Sequence, residues 1–239
     1  MLQIKNVTKN FGSFTAVNNL NLNIKAGEFF GFLGQNGAGK TTTIKMISGL
    51  YNATSGSISI GGFDIYKEPL KAKSLIGYIP DQPFIYEKLT GREFLFFSGG
   101  LYSIEKNKLK KVINEIIEKL EIGEWVDKRT EEYSLGMKQR ITIASALLHD
   151  PKLILIDEPM VGLDPQSAVI VKNILKEKAR SGVAVFMSTH SLNVAEEICT
   201  KIGIIKDGNM IFSDDTKILE TIKGSDKQNL ESLFLQLTK

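Results

Sequence analysis

The residues Gly34-Gln35-Asn36-Gly37-Ala38-Gly39-Lys40-Thr41 combine, within one short loop, the groups needed to hold a phosphate chain. Glycines at this spacing let successive backbone N–H groups turn inward as a nest, and a helix starting at the loop's end adds its positive N-terminus. Lys40 can reach the β- and γ-phosphates of a nucleotide, the Thr41 hydroxyl can ligate Mg²⁺, and Thr42 follows in the same helical turn. Downstream, the apolar run Leu153-Ile154-Leu155-Ile156 ends in Asp157-Glu158. A buried strand would hold Asp157 at the carboxyl edge of a sheet, where a phosphate loop also lies. There Asp157 can serve the Mg²⁺ region through water, and Glu158 is the candidate general base for an attacking water. Either feature alone has a plain structural reading, as a Gly-rich strand–helix turn or as a solvated acidic pair. Together they point to a nucleoside triphosphate. No Asn-Lys-x-Asp guanine-reading run occurs, which disfavours a GTPase. A small-molecule kinase stays open on these two motifs; the 117 positions between Lys40 and Asp157, filled largely by helical pattern, argue against it.

The elements that must position these groups are legible as patterns. Glu28–Leu33 is an almost continuous apolar run into the loop, fitting a strand buried on both faces. Lys40 to about Leu50 reads as helix. Leu2, Ile4 and Val7 begin a short strand, and Leu20, Leu22 and Ile24 alternate with asparagines in period two. Ser57–Ile60 and Phe63–Ile65 flank Gly61–Gly62 as a hairpin. The middle is helical. Thr90-Gly91-Arg92-Glu93 is a capping-box pattern before Phe94–Tyr102, and Leu109, Ile113, Ile116 and Leu120 form an amphipathic stripe. Ser134 can cap a further helix through Leu148, stopped by Asp150–Pro151. Strand and helix then alternate over Leu153–Ile156, Gln166–Arg180, Val183–Met187, Leu192–Cys199 and Ile202–Ile205, which predicts a parallel sheet with right-handed crossovers. Asp207–Gly208 marks a turn in a last hairpin, and Leu230, Leu233, Phe234 and Leu237 suggest a short terminal helix.

Composition excludes several classes. The chain has 239 residues, 42% hydrophobic and 24% charged, which suits a globular core and not a disordered or fibrous chain. A net charge of +3 is too small to argue for nucleic acid or an anionic membrane. The single cysteine, Cys199, forbids an internal disulfide framework, suits a reducing compartment, and reads as a small core residue. Met1–Gly12 has no apolar stretch for a secretory signal, and Phe94–Ile104, the nearest thing to a membrane span, is short and broken by glycine. A cytosolic or peripheral protein is expected.

Further motifs give the sequence a family resemblance over essentially its whole length. Tyr133-Ser134-Leu135-Gly136-Met137-Lys138-Gln139-Arg140 precedes Asp157-Glu158-Pro159, Gly162-Leu163-Asp164-Pro165 and Ser188-Thr189-His190, and Gln82 lies in Tyr78-Ile79-Pro80-Asp81-Gln82. In these motifs and their order the chain resembles the ATP-binding subunit of an ABC transporter. The resemblance implies a P-loop α/β core with a parallel sheet, an N-terminal antiparallel β-subdomain, and an inserted helical subdomain. The core and β-subdomain would occupy about 1–83 and 151–212, the helical insertion about 84–150, and a short tail about 213–239. It implies a second ATPase subunit, expected as a homodimer, with two ATP molecules between head-to-tail subunits. Ser134 and Gly136 would offer a hydroxyl and backbone donors to the γ-phosphate across that interface, where the family also uses Asp164. His190 would contact the γ-phosphate and support the attacking water, Gln82 would stand near Mg²⁺ and water, and Phe11 would stack on adenine. Stacking tolerates any purine, so preference for ATP over GTP would be loose.

This sequence departs from the commonest pattern at three places. Leu135 and Met137 replace Gly and Gln in the signature, and Phe11 replaces Tyr. Phe11 keeps the π-face; Leu135 removes one flexible donor position and leaves Ser134 and Gly136. The variant signature, the length and the short tail resemble bacterial export-type ATPases whose multi-span permease is a separate polypeptide, implying a peripheral position on the inner face of the cell membrane. Nucleic acid is not an expected partner: Lys106–Lys111 reads as a solvated helix start. A soluble relative acting on ribosomes or DNA is the alternative. A non-hydrolysing scaffold would be expected to lack Glu158 or His190.

Overall fold

The apolar run before the phosphate loop decides the architecture, because a strand apolar on both sides needs cover on both faces. In the computed structural model, which describes residues 1–216 and 230–238, this run is β3 (Phe29–Leu33), and all five residues are buried. It sits inside a six-stranded sheet ordered β10-β9-β3-β8-β7-β6, formed by β6 (Ile76–Ile79), β7 (Leu153–Asp157), β8 (Ala184–Thr189), β9 (Lys201–Lys206) and β10 (Asn209–Asp215). β6 to β9 and β3 are mutually parallel; β10 returns antiparallel to β9 through Asp207–Gly208. A second, antiparallel sheet runs β2-β1-β4-β5, from β1 (Leu2–Phe11), β2 (Phe14–Ile24), β4 (Ser55–Ile60) and β5 (Phe63–Asp64).

The large sheet divides two cores by strand alternation. Phe30, Phe32, Leu153, Leu155 and Phe186 face the antiparallel sheet and α1 (Lys40–Ile47), meeting Leu2, Ile4, Val17, Ile44 and Ile58. Phe29, Leu33, Ile154, Ile156, Val185 and Met187 face the opposite way. That second core continues into the helical block of α3 (Gly91–Leu101), α4 (Lys106–Lys119) and α5 (Leu135–Leu147), and into α6 (Pro165–Arg180) and α7 (Leu192–Ile198). The stripe Leu109, Ile113, Ile116 and Leu120 is buried as its spacing predicts. Cys199, just past α7, is buried; a Cβ on Gly31 of β3 would stand 2.8 Å from its sulfur.

Caps mark the helix starts. Thr90 and Glu93 form the capping box, with Thr90 Oγ1 accepting from the Glu93 N–H at 3.1 Å and Glu93 Oε2 accepting from the Thr90 N–H at 2.8 Å. Glu105 caps α4 by accepting from the Asn107 and Lys108 N–H groups. α8 (Leu230–Thr238) docks through buried Leu230, whose N–H donates to Glu196 Oε1 at 2.9 Å, with Phe234 and Leu237 packed on the same core. The side chain of Leu233 lies outside those described.

Four details differ from the sequence patterns. β1 runs ten residues, longer than its pattern shows, since irregularities between Ile4 and Lys9, with Asn6 at φ 49°, break its alternation. α1 stops at Ile47, and Gly49 at φ 70° turns the chain out of it. The short α2 (Pro69–Lys73) and edge strand β6 leave too few residues for a periodic signal. β10 runs to Asp215, inside the stretch read as tail.

Thr90→Ala removes the capping hydroxyl of α3 and should lower unfolding free energy by about 1 kcal/mol in a denaturant titration. An unchanged midpoint would show that the cap does not hold this helix.

Candidate nucleotide site

The loop between β3 and α1 is held tightly against its neighbours. Gly37 and Gly39 adopt φ 84° and 109°, and a Cβ on Gly39 would stand 2.5 Å from the Ala16 carbonyl oxygen. A Cβ on Gly34 would stand 2.6 Å from the Ile205 carbonyl oxygen. Only glycine fits between the hairpin of β1–β2 on one side and β9 on the other. Lys40 is buried at the first turn of α1, and its Nζ donates to the carbonyls of Gly34 at 2.8 Å and Gln35 at 3.1 Å. Burial pushes the Lys40 ammonium below its usual range, opposed by the charges of Glu158 and Asp157.

The carboxylates come from the end of β7. Asp157 is 1% exposed and pairs in register with Ser188 of β8. The Ser188 hydroxyl donates to Asp157 Oδ1, while Oδ2 is buried without a hydrogen-bond partner. Burial pushes the Asp157 carboxyl up; the Ser188 hydrogen bond and the nearby Thr41 hydroxyl oppose it. Glu158 takes the left-handed backbone conformation, φ 52°, which ends the strand and returns its side chain toward β8. Glu158 Oε1 lies 2.9 Å from His190 Nδ1, and Oε2 accepts from the Thr189 hydroxyl at 3.2 Å. Thr189 Oγ1 in turn accepts from the Ser191 N–H at 3.0 Å.

A cavity of about 430 Å³ joins these groups. Asn36, Gly37, Gly39, Lys40, Thr41 and Thr42 line it from the loop side, Asp157 and Glu158 from the sheet edge, and Phe11 from the hairpin. Gly34, packed against Ile205, does not line it. Gln35 and Ala38 border a separate depression beside Ile205, Lys206 and Asp207. Phe11 is half-exposed; Tyr51 meets it edge-on at 5.7 Å and Lys9 Nζ stands 4.8 Å from its ring centroid. Phe14, its register partner across the β1–β2 turn, also lines the cavity and was missed in the sequence. The Phe-Gly-Ser-Phe spacing, with Gly12 at φ 60°, was the available signal.

Gln82 is exposed and does not line the cavity; its neighbour Asp81 does. Ser134, Gly136 and Asp164 gather elsewhere, at the adjacent N-termini of α5 and α6. Ser134 Oγ accepts from the Met137 N–H at 3.2 Å, and Asp164 accepts from the Ser167 N–H at 2.9 Å and hydroxyl at 2.5 Å. Those Ser167 contacts hold the Asp164 carboxyl below its usual range. Among the described residues no cluster of three or more His, Cys, Asp or Glu could hold a metal. A single hard cation sharing its shell with phosphate and water needs fewer protein ligands. The unpartnered Asp157 Oδ2 beside the Thr41 hydroxyl is a donor set of that kind.

The chain is similar in sequence and fold to known proteins. The ABC transporter family profile matches residues 17–161. The Bacillus subtilis linearmycin resistance ATP-binding protein LnrL is 43% identical over 88% of this chain and 68% of its own. The Bacillus licheniformis bacitracin transport ATP-binding protein BcrA is 39% identical over 88% and 68%. A solved ATP-binding subunit of an ABC transporter superposes with TM-score 0.93 at 29% identity over all of both chains. A dimeric ATP-binding cassette captured after hydrolysis with ADP and Pi superposes with TM-score 0.81 at 29% identity, over 90% of this chain and 99% of that one.

A buried acid whose pKa is raised stabilises the fold below its ordinary pKa, and that benefit is lost as pH rises through the folded-state value. Asp157→Asn keeps the shape without the charge. The variant, free of nucleotide and metal, should therefore melt above the parent at mildly alkaline pH, with the gain shrinking on acidification. A difference that grows toward low pH would contradict the assigned cost of burying the carboxylate.

Proposed function

The chain belongs to the ABC transporter family, and from that premise we propose that its ATP hydrolysis powers export through a separate multi-span membrane permease. The observation that carries the catalytic part is Glu158, held by His190 and Thr189 and lining the same cavity as Lys40 and the glycine loop. ATP enters with its base against Phe11 and its phosphates on the backbone N–H groups of the glycine loop and the first turn of α1. Lys40 exchanges the Gly34 and Gln35 carbonyls for β- and γ-phosphate oxygens, which satisfies its buried charge better than two neutral acceptors. Glu158 orients the attacking water and accepts its proton, while His190 steadies the carboxylate and the water. Thr41 and Asp157 would hold Mg²⁺, Asp157 through water; when bound, the ion neutralises charge on the β- and γ-oxygens. Gln82, expected beside the ion and water, stands outside this group, exposed and away from the cavity lining.

Ser134 and Gly136 have no place in their own subunit's cavity, which supports a trans role. In a homodimer they would donate to the γ-phosphate held by the partner's loop, with Asp164 beside them at the interface. Hydrolysis then removes the ligand that joins the subunits, and opening of the pair drives the permease. The permease would dock on the helical subdomain, about 84–150, beside the Gln82 loop. Exposed Phe84, Tyr86, Phe97 and Leu101 suit it, with Tyr86 packed edge-on against Phe97 at 5.2 Å. No helix among the described residues is long and apolar enough to cross a membrane, so attachment to the inner face would run through that partner. Relatives named for linearmycin resistance and bacitracin transport direct the search for cargo toward antimicrobial compounds.

Glu158→Gln conserves shape but not basicity. It should keep ATP binding, lower turnover by about 10²–10⁴, and accumulate an ATP-bound dimer on size exclusion; parental turnover would reject the base. Tagged chain drawn from detergent-solubilised native membranes should bring down a stoichiometric multi-span protein. Ribosomal or DNA-bound proteins in its place would overturn the transport reading while leaving the ATPase intact.

A further inference from the structure

Leu135 stands where the commonest signature has glycine, and its contacts give it work. A Cβ on Gly162 would lie 2.6 Å from Leu135 Cγ and 2.7 Å from Cδ2, so the leucine fills a notch that only glycine leaves open. Reciprocally, a Cβ on Gly136 would lie 2.6 Å from the Gly162 carbonyl oxygen. The signature turn therefore lies flush on residues 162–163. Leu135 remains 50% exposed, beside Ser134.

The segment from this contact to the general base has little slack. Glu158 and Gly162 both take left-handed backbone conformations, φ 52° and 77°. The Val161 N–H donates to the Glu158 carbonyl and the Leu163 N–H to the Met160 carbonyl, each at 3.3 Å, so two successive turns span the interval. Beyond it, Asp164 is fixed as the cap of α6 by Ser167. Any shift of the signature turn must press on a loop pinned at both ends, and one end is Glu158.

We propose that Leu135 is a positioning residue linking the two nucleotide sites. Contact of Ser134 and Gly136 with ATP held by the partner subunit is passed through Leu135 and Gly162 to Glu158 of the same chain. Filling one site thereby sets the base in the other. This rests on the two-subunit reading above.

The test compares Leu135→Gly and Leu135→Met with the parent. ATP affinity, and ATP-induced dimerisation in a Glu158→Gln background, should survive Leu135→Gly. Turnover at saturating ATP should fall between about tenfold and a hundredfold, the scale of a misplaced catalytic group. The Hill coefficient, bounded by two sites, should fall to about one. Leu135→Met, which refills the notch, should restore both. Parental turnover and Hill coefficient in Leu135→Gly would overturn the proposal. Loss of ATP-induced dimerisation would also overturn it, by placing Leu135 in the subunit contact instead. An absence of ATP-induced dimer in Glu158→Gln alone would overturn the two-subunit reading and this coupling with it.

Discussion

Lys40 and Asp157 are buried within each other's electrostatic reach, yet each takes its hydrogen bonds from elsewhere. The ammonium holds the carbonyls of Gly34 and Gln35; the carboxylate holds Ser188 and leaves one oxygen without a partner. A buried charge without full compensation is costly, so the surrounding fold must over-determine both positions. β3 and β7, apolar on both faces, do this by fixing the two ends in adjoining parts of one sheet with a core on either side. The glycines let the loop pack close against Ala16 and Ile205, where no larger residue would fit. Phosphate and its counter-cation would satisfy both groups together. The cost is the preorganisation of the site.

The helical block is joined to this arrangement through packing and not through the cavity. α3, α4 and α5 share the second core with Phe29, Leu33, Ile154 and Ile156, so the strands that present Asp157 and the phosphate loop also anchor the signature helix. Ser134 and Asp164 illustrate the economy of the arrangement. Each caps a helix in its own chain and, by the reading above, faces the other subunit with the same side of the turn. Their caps are complete without nucleotide, so trans contacts add to a local structure that already stands.

Much of this was legible because the features are local. The glycine spacing before Lys40, the apolar run ending at Asp157, the capping box at Thr90 and the stripe from Leu109 to Leu120 each lie within one short stretch of chain. What escaped depends on tertiary placement. The irregularities in β1 interrupted a period-two pattern, so a ten-residue strand looked short. Phe14 enters the cavity only because its hairpin turns it beside Phe11. Family pattern pointed to Gln82, whereas its neighbour Asp81 is the residue that lines the cavity; an irregular loop carries no periodic signal to tell them apart. The seating of Leu135 on Gly162 joins positions 27 apart in sequence and could not be read from either motif alone.

The position of Cys199 has a practical consequence. The chain's only thiol lies buried against the backbone of β3, and burial raises its pKa, so the reactive thiolate is scarce and shielded. A cysteine introduced at an exposed position would then be the single site open to a maleimide dye or spin label. Distances between subunits, or between the helical block and the sheet, could be followed optically through the ATP cycle without first replacing a native residue.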